Sequence, residues 1–167
     1  LIPGATRFDF FYNPTNVTPL RREFEFAGRE LGVEVRALGV ATDADLDAAF
    51  RSMGPRGTQA LTMAGDPFIQ SRVSAIVARA AEARIPAMYF DRTFVEAGGL
   101  ISYGPNQLVA YRDAGDYVGR ILSGEKPGDL PVIQPLRFET VLNLKTARAL
   151  SLNIPDLVLA LTDEVIE

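Results

Sequence analysis

Short apolar runs alternate with amphipathic stretches along the whole chain. The first run, TRFDFFY from Thr6 to Tyr12, stops at Asn13-Pro14. Thr18-Pro19 then predicts a helix start, with Thr as N-cap and Pro at the first helical position. Leu20, Phe24, Ala27 and Leu31 recur at helical spacing, and Gly32 follows in the slot that favours a left-handed terminator. A short strand is expected over Glu34 to Leu38 and a helix from Asp43 to Ser52 behind the Thr42-Asp43 cap. The third unit is a strand over Gln59 to Met63, a loop Ala64-Gly65-Asp66, and one helix from Pro67 to Ala83. Its buried face is marked by Ile69, Val73, Ile76, Val77 and Ala80. Ala87 to Phe90 predicts a fourth strand, Arg92 to Ala97 a helical turn, Leu100 to Tyr103 a fifth strand and Gln107 to Leu122 a helix. After the Gly/Pro-rich connector from Gly124 to Pro131 come a strand over Phe138 to Leu142 and a helix over Lys145 to Leu150. A helical turn at Asp156 to Leu161 and an extended end complete the chain. Strands that alternate with helices in this way predict an α/β fold, a parallel sheet flanked by helices.

Composition narrows the function. Seventeen basic against 21 acidic residues give a net charge of −4 with no basic cluster, which argues against a nucleic-acid partner. No apolar run reaches the roughly twenty residues of a membrane-spanning helix. Cysteine and histidine are both absent, which removes thiol chemistry, the usual metal ligands and the commonest general base near neutral pH. No nucleophile elbow, phosphate loop or dinucleotide fingerprint occurs, so neither catalysis nor a cofactor or metal is expected.

Four loops fall at the carboxyl ends of the expected strands, the edge where open α/β sheets hold ligands. Asn13, Thr15 and Asn16 offer amide and hydroxyl groups suited to a carboxylate, or form only a turn. Asp66 is placed to cap the helix that begins at Pro67, and a capping carboxylate can also meet an ammonium group; Phe68 is a wall or core residue. Tyr89 and Asp91 close the fourth strand. Asp91 is a candidate partner for an ammonium group or a surface cap, and Arg92 could grip a carboxylate. Ser102 and Tyr103 end the fifth strand, where Tyr103 offers a ring for stacking and a hydroxyl, or fills space. Gly104 beside them permits backbone close to a ligand or a hinge dihedral. Gly98-Gly99 reads as a turn and Lys145 as a solvated cation.

The stretch FVEAGGLISYGPN (Phe94 to Asn106) is the most specific part of the chain. Taken with LIPGATRF at Leu1, NPTN at Asn13, GEKPGDLPV at Gly124, FETVLNLKTARAL at Phe138 and the closing DEVIE, it resembles the substrate-binding proteins of ABC transporters. The resemblance is to the C-terminal half of members that bind aromatic amino acids such as tryptophan. It implies the second lobe of a type I periplasmic-binding-protein fold, with the first lobe missing. Residues 1–101 are then lobe two, 102–137 a hinge crossing with an arm that packs on the absent lobe, and 138–167 a return to lobe two. It also implies a small ligand held between lobes, probed by Asn13, Thr15, Asn16, Asp66, Phe68, Tyr89, Asp91, Ser102 and Tyr103. An ABC permease would be the membrane partner, and the location periplasmic or tethered outside the cytoplasm. A ligand-sensing regulatory module of the same fold is the alternative. Without its lobe, the Gln107 to Leu122 helix would expose Leu108, Tyr111, Ala114, Val118 and Ile121, and the chain is expected to self-associate through it.

Overall fold

The computed structural model describes residues 1–16, 20–133 and 137–167. The expected cap at Thr18-Pro19 lies outside the described residues. Seven strands form one sheet in the order β2-β1-β3-β4-β5-β6-β7. They are β1 (Arg7–Tyr12), β2 (Glu34–Gly39), β3 (Ala60–Met63), β4 (Ala87–Tyr89), β5 (Ile101–Pro105), β6 (Phe138–Asn143) and β7 (Glu164–Ile166). The first five are mutually parallel, β6 runs antiparallel to β5, and β7 is parallel to β6. The α/β expectation holds, with β6 and β7 added antiparallel to the first five strands.

The helices are α1 (Leu20–Glu30), α2 (Asp43–Arg56), α3 (Pro67–Gln70), α4 (Val73–Glu82), α5 (Arg92–Glu96), α6 (Gln107–Leu122), α7 (Leu144–Ala149) and α8 (Asp156–Ala160). Helix α2 begins as the sequence predicts: Thr42 accepts from the Asp45 amide while the Asp45 carboxylate accepts from the Thr42 amide, closing a capping box. It runs past Ser52 and through Pro55, because a proline in the last turn forfeits a single backbone bond and Gly57 then ends the helix left-handed at φ 70°. The helix expected over Pro67 to Ala83 is broken into α3 and α4. Ser71 turns its hydroxyl back onto the Phe68 carbonyl, and Arg72 leaves helical geometry to pair with Asp43 at 2.6 Å and lie 5.1 Å over the Phe68 ring.

The main core lies between the sheet and α2, α3 and α4, where Phe11, Leu46, Met53, Ile69 and Ile76 are sealed from solvent. Each such side chain contributes roughly 1.5–3 kcal/mol on burial. A second cluster joins Leu100, Ile101, Leu142 and Ala147 to Leu1 and the loops around α7. Helix α1 packs on β2 through Gly28, where a Cβ would come within 2.6 Å of Val35. The expected stripe on α1 is otherwise open: Ala27 and Leu31 remain exposed. Beneath β1, Asp9 is fully buried and held by a two-pronged bond from Arg36 (2.9 and 2.6 Å), by the Thr58 hydroxyl (2.7 Å) and by Arg56 at 3.7 Å. The apolar-looking run of β1 therefore hides an ionic cluster, in which the buried Arg56 Nε has no hydrogen-bond partner among the described residues.

Helix α6 follows the predicted bounds, with Asn106 accepting from the Val109 amide at 3.1 Å. None of its residues is buried in this chain. Leu108, Tyr111, Val118 and Leu122 all stand well exposed.

Candidate functional site

The carboxyl ends of β1, β3, β4 and β5 form one rim, and most of the candidate side chains gather there. Asp66 is the organiser of its first half. It caps α3, accepting from the amides of Phe68 (2.8 Å) and Ile69 (3.3 Å), and receives the side-chain amides of Asn13 (3.2 Å) and Asn16. Thr15 donates its backbone N–H and its hydroxyl to the other end of the Asn13 side chain, at 3.0 and 2.7 Å. Asp66 is thus both cap and organiser: of the four bonds its carboxylate accepts, two come from helix amides and two align the asparagines. Asn13, Thr15 and Asn16 form an oriented polar edge, and Phe68, half-buried, closes its flank under Arg72.

The second half is built by β4 and β5. Asp91, 8% exposed, caps α5 by accepting from the Thr93 amide (2.9 Å) and hydroxyl (2.6 Å). Both bonds fall on Oδ1, and Oδ2 carries none among the described residues, so one oxygen of this carboxylate is uncommitted. Arg92 does not have the free guanidinium that gripping a carboxylate requires. It bonds Glu96 at 2.7 Å and Glu164 at 2.9 Å and lies 3.6 Å from Glu139, tying α5 to β6 and β7. The bonds to Glu96 first and Glu164 second raise its already high pKa further.

Tyr103 projects from β5 half exposed, at 51%, and stacks on Phe138 with ring centroids 5.4 Å apart and planes 24° from parallel. Phe138 opens β6, and the register that pairs Pro105 with Phe138 and Tyr103 with Thr140 makes the two rings diagonal neighbours on one face. Sequence reasoning did not single out Phe138. The signal was an aromatic at the first position of the returning strand, and reading it required knowing that β6 pairs antiparallel with β5. Asn106 donates to Glu139 at 2.6 Å and fixes the same corner.

Two candidates lie elsewhere. Tyr89 is 2% exposed and stacks on Phe94 at 4.7 Å, inside the core; burial pushes its phenol pKa well up. The next residue, Phe90, is partly buried and packs against the same Phe94 ring at 5.4 Å. Ser102 is likewise buried, at 1%, and its hydroxyl has no hydrogen-bond partner among the described residues. Gly104 is a contact glycine: a Cβ there would sit 1.9 Å from the Phe90 carbonyl oxygen, and its φ is not positive. What approaches Gly104 is therefore the Phe90 backbone at the end of the neighbouring strand.

Comparison with known proteins agrees with this architecture. The ABC transporter substrate-binding protein family matches residues 1–166, and the chain belongs to that family. No curated protein matches the sequence. Among solved structures, the ABC domain in complex with L-Trp from Streptococcus pneumonia aligns with a TM-score of 0.87 at 24% identity, covering 98% of this chain and 57% of that one. A conserved domain protein from Vibrio cholerae O1 biovar El Tor aligns with a TM-score of 0.86 at 23% identity, covering 98% and 56%. The ligand-free, open substrate-binding protein with adhesive properties from Clostridium difficile aligns at 0.65 and 21%, covering 98% and 55%. The chain spans a little over half the length of these structures. It has the fold of about half of a periplasmic binding protein, within a family that binds transport substrates and is typically extracytoplasmic. No helix among the described residues is long and apolar enough to cross a membrane.

Proposed function

We propose that this chain supplies one jaw of a two-lobed receptor that delivers a small solute to an ABC permease outside the cytoplasm. The ligand is an amino acid with an aromatic or large apolar side chain, held in the cleft above the rim. The observation that carries this reading is the exposed Tyr103–Phe138 stack beside Asp91 and the Asn13–Asn16–Asp66 edge. An aromatic pair offers a flat apolar seat, while an uncommitted carboxylate oxygen and oriented amides suit an ammonium and a carboxylate at fixed separation. The related domain crystallised with L-Trp supports the ligand class.

Residues 102–137 serve in this reading as the crossing and arm, with α6 seated on the opposite lobe, and 138–167 as the return. Closure of the lobes about the crossing traps the ligand and presents the closed form to the permease. The test is a thermal-shift screen of the two-lobed protein against amino acids, sugars and nucleosides. Tryptophan, phenylalanine or tyrosine at about a hundred times Kd should stabilise by roughly 2.7 kcal/mol. Tyr103→Ala should erase that shift while the unliganded melting temperature stays near the parent's. A response confined to sugars or nucleosides would overturn the ligand class.

A further inference from the structure

Asparagine and aspartate cap helices about equally well, and this chain divides them by a second task. The aspartate caps, Asp66 and Asp91, only accept hydrogen bonds. The asparagine caps also donate. Asn143, ahead of α7, gives a side-chain N–H to the Val95 carbonyl at 3.4 Å, and Asn106, ahead of α6, gives one to Glu139 Oε2 at 2.6 Å. The other end of the Asn106 amide accepts from the Val109 N–H at 3.1 Å. A carboxylate can only accept, so Glu139 draws the NH₂ end of Asn106 toward β6 and leaves the carbonyl end for the helix. With that amide reversed, donor would face donor at Val109 and oxygen would face oxygen at Glu139. The same Glu139 oxygen lies 3.6 Å from Arg92 Nη1, and Arg92 is held in turn by Glu96 and Glu164. Contacts therefore run from α5 and β7 through one carboxylate to the first turn of α6.

We propose that Glu139 is a positioning residue for ligand binding: it orients the Asn106 cap, and so fixes where α6 starts and which way it leaves the sheet. The proposal rests on the reading above, in which α6 seats the opposite lobe. None of the residues of α6 is buried in this chain, so packing does not set the direction of the helix. Its first turn does, through the Asn106 side chain on Glu139 and the Asn106 backbone N–H on the Arg137 carbonyl at 2.9 Å. The helix has 16 residues and is about 24 Å long, so a tilt of about 10° at the cap moves its far end by about 4 Å. A cleft that closes about a small ligand depends on that angle. Glu139 touches no ligand in this account; it acts through Asn106, and Arg92 keeps its carboxylate in place.

Exchanging donor and acceptor separates this role from capping alone. Asn106→Asp keeps a good cap but sets two carboxylates face to face. Adding Glu139→Gln restores one donor opposite one acceptor, with the polarity reversed. Hydrogen exchange at the Val109 amide, read by NMR in the 167-residue chain, needs no ligand. It should quicken about fivefold in Asn106→Asp and return to the parent rate in the double variant. In the two-lobed protein, the Kd for tryptophan should weaken by a similar factor in the single variant and recover in the double. Unchanged exchange in Asn106→Asp would make residue 106 a cap and nothing more, and overturns the proposal; so does a loss that Glu139→Gln fails to rescue. Equal Kd values in all three proteins overturn the positioning role. Rescue in exchange, beside a parent that binds no aromatic amino acid, would uphold the hold of Glu139 on α6 and overturn the ligand class alone.

Discussion

Replacing Gly104 by alanine tests the packing on which the rim depends. The added methyl would lie 1.9 Å from the Phe90 carbonyl oxygen and 2.9 Å from its carbonyl carbon. Both are backbone atoms, so no rotamer change relieves the contact. Either β5 slides away from the β4 exit or the Phe90–Asp91 turn is pushed outward. Over-packing a well-filled site costs about 1–3 kcal/mol, and backbone-on-backbone overlap belongs at the upper end. For a domain of this size, each kcal/mol lowers Tm by about 2–4 °C, so Gly104→Ala should melt roughly 6–12 °C below the parent. Gly115→Ala is the matched control. That glycine lies within α6 with nothing within 4 Å of its would-be Cβ, so alanine there should stabilise by up to about 1 kcal/mol through helix propensity. Scanning calorimetry on the two variants should thus give shifts of opposite sign. A Gly104→Ala protein melting within 2 °C of the parent refutes the close β4–β5 approach, and with it the stated geometry of the rim.

Asp9→Asn should cost about 1–3 kcal/mol in urea unfolding, since it leaves the partly exposed guanidinium groups of Arg36 and Arg56 facing a neutral amide; a loss below about 0.5 kcal/mol would contradict the ionic cluster. The Asp45 carboxyl is held below its ordinary 3.8, first by the Thr42 hydroxyl and then by backbone N–H groups at Ala41 and Thr42. Because the folded value is depressed, its contribution is complete above pH 3.8 and fades as acid takes the pH down through the folded value. NMR titration should find the Asp45 midpoint below 3.8, rising toward it in Thr42→Ala, and an unmoved midpoint would remove the hydroxyl as the cause. The bare face of α6 should make the 167-residue chain associate at micromolar concentration, and Tyr111→Glu with Val118→Glu should return it to monomer in sedimentation. A parent chain that sediments as a monomer would show that this face needs no cover.

Elements with local signatures were legible from the residues alone. The capping box at Thr42, the left-handed Gly32 (φ 67°) and the α6 bounds each depend on a few adjacent positions. What failed was decided by distant partners. The break between α3 and α4 follows from the pull of Asp43 on Arg72, twenty-nine residues away in sequence. Tyr89 was placed at the rim because strand ends look alike in sequence, whereas burial of its ring depends on Phe94 and on Gly99, whose Cβ would come 2.5 Å from that ring. Phe138 escaped notice because its partner, Tyr103, becomes visible only once the β5–β6 register is known. Asp66 and Asp91 do cap helices, as their positions in the sequence suggested, but the division of their oxygens between capping and free valence is a matter of angles.

The β5–β6 ladder also limits how the molecule can bend. The segments that leave and re-enter the sheet are zipped together from Ile101–Leu142 to Pro105–Phe138, and the Asn106 amide adds a further rung to the Arg137 carbonyl at 2.9 Å. Two strands joined in this way make a two-ply strap, supple across its flat side and stiff along its width. On the proposed reading, in which α6 seats the opposite lobe, that lobe would swing chiefly about one axis, like a door on a long leaf hinge.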